Sequence, residues 1–313
     1  MRTAFSDAIA AAAIADPKVL LLTGDHGYAL FDDFRKHRPD QFINCGVAEQ
    51  NMVGVAAGLA KAGYKPIVYG LACFVPVRVL EQIKLDVCYQ DLPVVFIGDG
   101  AGIVYSALGS SHQSAEDIAV LRAIPKLDIL SPCDAREMDY AMAHALSFKR
   151  PVYIRMGKSD VGEIHQTPLS APIGDLVAVR SGAADAAAGG PRTAFLATGS
   201  MVKSAMLLAE RLGDNPVWSV PTIKPINHAQ VAELARRYDN LVVLEEHNRI
   251  GGLGGAVAEV VGDLGGARAR VLRLGINDRF SEFNGSWDYL LREHGIDTES
   301  LLAQIQTLLR DDA

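Results

Sequence analysis

Cysteine is scarce and follows no pattern. Only four of the 313 residues are cysteine (Cys45, Cys73, Cys88 and Cys133), and none stands at a metal or redox spacing. That excludes a disulfide-built scaffold. Free thiols of this kind fit a reducing compartment, so a cytoplasmic location is expected. No apolar run is long enough to span a bilayer, which argues against a membrane role. Asp7 and Asp16 interrupt the Ala-rich N-terminal stretch before a signal-peptide core can form. Positive charge is in deficit. The 30 Lys and Arg against 37 Asp and Glu give a formal charge of −7, so nucleic acid and anionic membranes are excluded as natural partners. There is no internal repeat beyond the alternation described next.

What is present is a chain that is 49% hydrophobic, ample for buried cores, and long enough for two domains of ordinary size. An amphipathic N-terminal helix should end before Pro17. Short apolar runs then alternate with longer amphipathic stretches. Strands are expected at 19–22, 41–44, 66–69, 94–97 and 128–130, with helices at 49–62 and 77–89. Such alternation implies parallel βαβ units and an α/β fold. From about Val161 to Arg192 the character changes to prolines and the run Ala183 to Gly190, which reads as a linker with at most a marginal strand or hairpin. A second α/β unit begins at Thr193 and continues through a helix at 202–212, a strand at 241–244 and a helix at 301–309. The expected division is therefore a domain at 1–165, a linker at 166–192 and a domain at 193–313. Each domain is expected to be a mainly parallel sheet flanked by helices.

The most informative stretch is Asn44-Cys45-Gly46-Val47-Ala48-Glu49-Gln50-Asn51-Met52, followed by Val53-Gly54-Val55-Ala56-Ala57-Gly58-Leu59-Ala60. It sets an acid, Glu49, at the mouth of a helix so rich in Gly and Ala that another helix can pack almost backbone to backbone. A carboxyl drawn into such a poorly hydrated interface is suited to sharing or donating a proton near neutral pH. Read locally, Glu49 is equally an acid in a helix's first turn, favoured by the helix dipole.

This segment resembles the pyrimidine-binding domain of the transketolase family of thiamine diphosphate enzymes. The resemblance continues in family order through Phe74 to Asp86, Ser111-His112-Gln113, Glu116-Asp117-Ile118 and Pro151 to Arg155. It ends with Thr222-Ile223-Lys224-Pro225-Ile226 and Glu245-Glu246-His247-Asn248 with Gly251-Gly252-Leu253-Gly254. It implies a pyrimidine-binding fold followed by a transketolase C-terminal-like domain. It also implies that Glu49, with Gln50 beside it, meets the cofactor's aminopyrimidine. Phe74 and Leu71 would form the slot for that ring, with Arg78 close by. His112 would face substrate oxygens and transfer protons. Arg155, after a strand, would grip a substrate anion with its planar fork. Asp25 and His26 sit where α/β ligand sites collect, beyond a strand's C-terminal end. Ser110 and Gln113 could form a capping box around His112.

The family's diphosphate-binding domain has no counterpart here. The resemblance thus implies half of a split enzyme. A partner chain would hold the diphosphate and Mg²⁺, and this chain would self-associate into a dimeric core with two partner chains around it. Gly98-Asp99-Gly100 is similar to the start of the family's Mg²⁺ signature. Its Asn is missing, because no Asn occurs between Asn51 and Asn215, so a tight turn is expected and no metal ligand is assigned to this chain. Two departures concern the substrate. Leu108 and Gly100 fall where sugar-phosphate transketolases carry an Asp and a His. The Gly251 to Gly255 run does not fit dinucleotide spacing and reads as close helix–sheet packing, and Glu245-Glu246-His247 reads as a strand end with solvated acids. The expected activity is transfer of a two-carbon ketol or acyl unit from a ketose or 2-oxoacid donor to an aldehyde. The alternatives are the beta subunit of a 2-oxoacid dehydrogenase, a 1-deoxyxylulose-phosphate-synthase-like enzyme, or a non-catalytic regulatory subunit.

Overall fold

The computed structural model describes residues 1–27, 29–158, 162–182 and 192–310. The low-complexity run Ala183 to Gly190 lies outside the described residues. Strands are β1 (Val19–Thr23), β2 (Phe42–Asn44), β3 (Lys65–Leu71), β4 (Val95–Asp99), β5 (Asp128–Leu130), β6 (Val152–Met156), β7 (Val177–Arg180), β8 (Thr193–Ala197), β9 (Val217–Ser219), β10 (Thr222–Lys224), β11 (Asn240–Asn248) and β12 (Arg270–Ile276). Helices are α1 (Arg2–Ala15), α2 (Asp32–His37), α3 (Glu49–Lys61), α4 (Leu80–Gln82), α5 (Asp117–Arg122), α6 (Ala135–Ala145), α7 (Met201–Arg211), α8 (His228–Arg237), α9 (Leu253–Gly262), α10 (Trp287–Glu293) and α11 (Thr298–Arg310).

Seven strands form the first sheet in the order β10-β5-β6-β4-β3-β1-β2, and five form the second in the order β12-β11-β8-β9-β7. Pairing is parallel except at one edge of each sheet, where β10 and β7 run antiparallel to their neighbours. The continuous apolar runs of β1, β4 and β6 are buried along their whole length, as strands covered by helices on both faces must be.

One strand is the marginal one expected in the linker, and another leaves the sheet of its neighbours in the chain. β7 lies inside the expected linker and pairs with β9 of the second sheet. β10 follows β9 directly yet crosses back to pair with β5 of the first sheet, Thr222 opposite Leu130. The backbone N–H of Ser131 donates to the Pro221 carbonyl, and the Lys224 ammonium caps the Arg122 and Ile124 carbonyls beyond α5. One apolar core runs through this junction, joining Leu22, Val68 and Phe96 of the first sheet to Leu196, Leu241 and Val243 of the second.

α3 buries Met52, Val53, Ala56 and Ala57 against the sheet. Its opposite face, Gly54 and Gly58, meets nothing within 4 Å, and Val55 beside them is exposed. Among the described residues no helix of this chain packs there, so the close helix contact expected from composition is not made within the chain. The expected helix over 77–89 is irregular. It opens with a 3₁₀ turn at Val77–Val79, passes through α4, and continues as a π-helical stretch, Ile83–Cys88.

Candidate active site

β1 and β3 are neighbours, and both end at the same edge of the sheet. After β1 the chain turns through Gly24, Asp25 and His26, and after β3 through Ala72, Cys73 and Phe74. Asp25 has φ 63°, a left-handed turn that its carboxylate helps to hold by accepting from Asn44 Nδ2 at 3.0 Å. A Cβ placed on Gly24 would lie 3.4 Å from the Gly46 carbonyl oxygen, 3.5 Å from His26 Nδ1 and 3.7 Å from Glu49 Cγ. The turn after β1 thus packs at ordinary contact distance against the stretch that leads into α3.

Glu49 opens α3 and is 3% exposed. Arg78 Nη1 donates to its Oε2 at 3.0 Å, while Oε1 is buried with no hydrogen-bond partner among the described residues. The Arg78 guanidinium also lies 4.1 Å from the centre of the Phe74 ring, a cation–π stack. His112 and His26 flank the same ring at 5.5 Å and 5.9 Å between centroids. His112 Nδ1 lies 3.0 Å from Ser111 Oγ, and His26 Nδ1 is a second buried atom without a partner among the described residues. Phe74 is thus the hub of a cluster of one acid, one guanidinium and two imidazoles. Leu71, His26 and Asp25 line an adjoining cavity of about 280 Å³ together with Arg2, Asp99 and Tyr105. Gln50, one residue into α3, is exposed. Burial pushes the Cys73 thiol beside this cluster up to about 11, so it is no thiolate nucleophile near neutral pH.

Asp99, in the segment similar to a metal signature, is buried and accepts from Tyr69 Oη at 2.8 Å, Tyr105 Oη at 3.0 Å and Arg2 Nη2 at 3.0 Å. All three donors meet the same oxygen, Oδ2. Burial and this acceptor together push the Tyr105 phenol up to about 12. Gly100 has φ 71°, and a Cβ there would collide with the Tyr105 ring, so no histidine fits at this position while Tyr105 keeps its place. Leu108, the other departure, is exposed at the mouth of the loop carrying His112.

Arg155 requires a correction. It lies within β6 and is 3% exposed, with Nε on both Asp117 oxygens at 2.9 and 3.0 Å and Nη2 on the Glu246 carbonyl at 2.8 Å and the Ser114 carbonyl at 3.3 Å. The second domain covers this strand end, so Arg155 clamps the two domains and is out of a substrate's reach. The acids expected to be solvated are also buried. Glu245 accepts from the N–H groups of Leu253 and Gly254 at the start of α9, and Glu246 from Ile103 N, Ser200 Oγ and Trp287 Nε1. The glycine run admits them: a Cβ on Gly252 would collide with Glu245 Oε2. Burial pushes Glu245 up to about 7 and His247 down to about 4.

No capping box forms around His112. Ser110–His112 is a 3₁₀ turn, and both of its flanks are bonded to Ser281 of the second domain. Ser110 Oγ donates to the Ser281 carbonyl at 3.3 Å, and Ser281 Oγ donates to Gln113 Oε1 at 2.7 Å. Ser281 and the buried Asp117 hub were not singled out from sequence. A serine in an exposed-looking loop carries no periodic signal, and no local pattern sets Asp117 apart from Glu116 before it.

Comparison with known proteins bears on the family and the fold. Residues 1–163 match the family model described as "Transketolase, pyrimidine binding domain", and residues 182–301 match "Transketolase, C-terminal domain". The chain is 32% identical over 305 residues to one of the subunits of the apulose-4-phosphate transketolase of Phocaeicola vulgatus, covering 96% of this chain and 94% of that one. It is 36% identical over 305 residues to the 1-deoxy-D-xylulose-5-phosphate synthase of Caldanaerobacter subterraneus subsp. tengcongensis, covering 95% of this chain but 47% of that longer protein. A solved structure described as a split gene transketolase, inactive beta4 tetramer, superposes with a TM-score of 0.85 at 32% identity, covering 99% of this chain and 97% of that one. The chain belongs to the transketolase family and carries its pyrimidine-binding and C-terminal domains.

Proposed function

We propose that this chain is one component of a two-component, thiamine diphosphate-dependent transketolase-like enzyme. It moves a two-carbon ketol or acyl unit from a ketose or 2-oxoacid donor to an aldehyde acceptor. The observation that carries the reading is Glu49: a buried carboxylate with one oxygen on Arg78 and the other without a partner among the described residues, next to an aromatic hub at the strand ends. A buried acceptor left unpaired is costly unless something completes it, and an aminopyrimidine ring nitrogen is a group that would do so. Glu49 Oε1 would hold that nitrogen, and Phe74 with Leu71 would offer an apolar slot for the flat ring. When bound, thiamine diphosphate supplies the carbanion and electron-sink chemistry. His112 and His26, on two sides of Phe74, are the groups of this chain suited to exchanging protons with substrate oxygens. The diphosphate and Mg²⁺ would be held by a partner chain carrying the family's remaining domain.

Self-association would use the bare Gly54 and Gly58 face of α3 with the exposed Leu85 and Tyr89. The inactive beta4 tetramer of the split relative supports both self-association and the need for a partner. A second donor class is favoured by one observation. Leu108 is apolar and exposed where a hydroxyl-reading acid was expected, and the similarity to 1-deoxy-D-xylulose-5-phosphate synthase points the same way, towards a 2-oxoacid.

The test combines purified chain, a chain bearing the family's diphosphate-binding domain, thiamine diphosphate and Mg²⁺, and screens ketose phosphates and 2-oxoacids as donors. Glu49→Gln in that mixture should lower turnover by about 100-fold or more, and cofactor binding measured separately should weaken. Undiminished turnover in Glu49→Gln, or full activity of this chain without a partner, would refute the proposal.

A further inference from the structure

A second constellation lies away from the Glu49 cluster, where the first domain hands over to the second. Cys133 follows β5, Glu137 lies in the first turn of α6, and His165 lies in the segment after β6. One donor atom from each, a sulfur, a carboxylate oxygen and an imidazole nitrogen, falls within 4.8 Å of the other two. His165 Nε2 and Glu137 Oε1 are 2.8 Å apart.

The surroundings hold these donors in place. Asp134 caps α6 by accepting from Glu137 N at 2.9 Å through Oδ1. Its other oxygen accepts from Ile164 N at 2.9 Å and His165 N at 2.7 Å. One carboxylate therefore fixes the backbone on both sides of the cluster. Glu137 Oε2 accepts from Cys133 N at 2.8 Å, which leaves Oε1 facing the other donors. Ser219 of the second domain reaches Cys133 Sγ from behind at 3.9 Å. Cys133 and Glu137 are fully enclosed, whereas the His165 side chain is 10% exposed. Among these three residues His165 alone is partly exposed, and a water could enter on its side as a fourth ligand.

We infer that Cys133, Glu137 and His165 form a binding site for a zinc-class divalent cation. The mixed set of sulfur, imidazole and carboxylate donors suits a borderline-soft ion and not magnesium or calcium, which take oxygen ligands. Burial and the acids beside it hold Cys133 as the thiol, so binding would release its proton to solvent. Bonds of about 2.0 to 2.3 Å in tetrahedral geometry set donors about 3 to 4 Å apart, so only small side-chain shifts are needed. Asp134 and the Cys133 N–H supply the outer contacts that orient ligands at such sites. Without the ion, the Glu137–His165 contact already joins α6 to the 162–166 segment. The cation would strengthen that join, and it has no part in the chemistry at Glu49.

The experiment adds Co²⁺ and then Zn²⁺ to the purified full-length chain. Co²⁺ should produce a near-ultraviolet thiolate charge-transfer band at one equivalent, which Zn²⁺ bleaches. Excess Zn²⁺ should raise the melting temperature on the order of 5 °C, reversibly on chelation. Cys133→Ser should abolish the band, and His165→Gln, at a partly open position outside the core, should weaken Zn²⁺ binding at least tenfold. If Cys133→Ser fails to fold, the His165→Gln comparison decides. Absence of the band, its persistence in Cys133→Ser through Cys45 or Cys73, or unchanged affinity in His165→Gln would overturn the assignment.

Discussion

Arg78 does two things that no other side chain at the cluster does. It neutralises Glu49 at 3.0 Å and covers the Phe74 ring at 4.1 Å. Its side chain is 43% exposed while that of Glu49 is 3% exposed, so water screens one end of the pair and not the other. Removing a buried acid's counter-charge is costly, but the exposed partner brings the loss towards the surface range. Arg78→Met, which keeps a hydrophobic cover for Phe74, should therefore lower unfolding free energy by about 1 kcal/mol. Denaturant titration checks this, and an unchanged midpoint would mean the pair is not formed in solution. At this scale sequence spoke unevenly. Glu49 at the start of α3 and His26 just beyond β1 stand where pattern alone places ligand sites, whereas Phe74, Arg78 and His112 were legible only through the family resemblance. The burial of Arg155 could not be read, because the cover over β6 comes from Glu246, ninety-one positions along the chain.

Elements were legible where pattern alone defines them, and illegible where membership depends on a distant partner. The apolar runs of β1, β3, β4 and β11 announce themselves. β10 does not: it is three residues long, and nothing local says that it leaves the second sheet for the first. The loop over 277–286 is a similar case. Its Phe280 and Phe283 are 83% and 61% exposed, yet Ser281 between them is tied to the His112 loop and to His294 Nε2 at 2.8 Å. A Cβ on Gly109 would lie 2.6 Å from Asn284 Oδ1, so the two loops are in close contact as well as bonded. The second domain thereby sets the position of a residue in the first. Ser281→Ala in the assembled enzyme should lower turnover roughly fivefold, the worth of one hydrogen bond, with cofactor affinity unchanged. Ser281→Thr should restore it, and equal rates for all three proteins would show that the loop is held by other contacts.

The whole molecule is two sheets locked through a buried polar seam. Glu246 bonds Ile103 of the first domain, His247 Nε2 lies 3.3 Å from Ala119 N, and Arg155 spans Asp117 and Glu246. Within that seam two groups titrate abnormally in opposite senses. Burial raises Glu245 from an ordinary 4.5 to about 7 and lowers His247 from 6.5 to about 4, and the two lie 3.7 Å apart. The folded state binds a proton on Glu245 more tightly than the unfolded chain does. Its contribution to stability is therefore full below pH 4.5 and is lost as pH rises through about 7. His247 is the reverse: its contribution is full above pH 6.5 and is lost as pH falls through about 4. Between these limits the two slopes oppose each other and hide one another in the wild-type chain. Glu245→Gln removes one of them. Its fixed cost, set by an amide N–H facing the α9 amides, does not vary with pH, so only the titration changes between the two proteins. The stability difference should therefore move in favour of Glu245→Gln by on the order of 3 kcal/mol between pH 4.5 and pH 7.5. Urea unfolding of both proteins across that range reads the difference directly. A gap that stays constant with pH would show that Glu245 is ionised throughout, its charge carried by the two α9 amides alone.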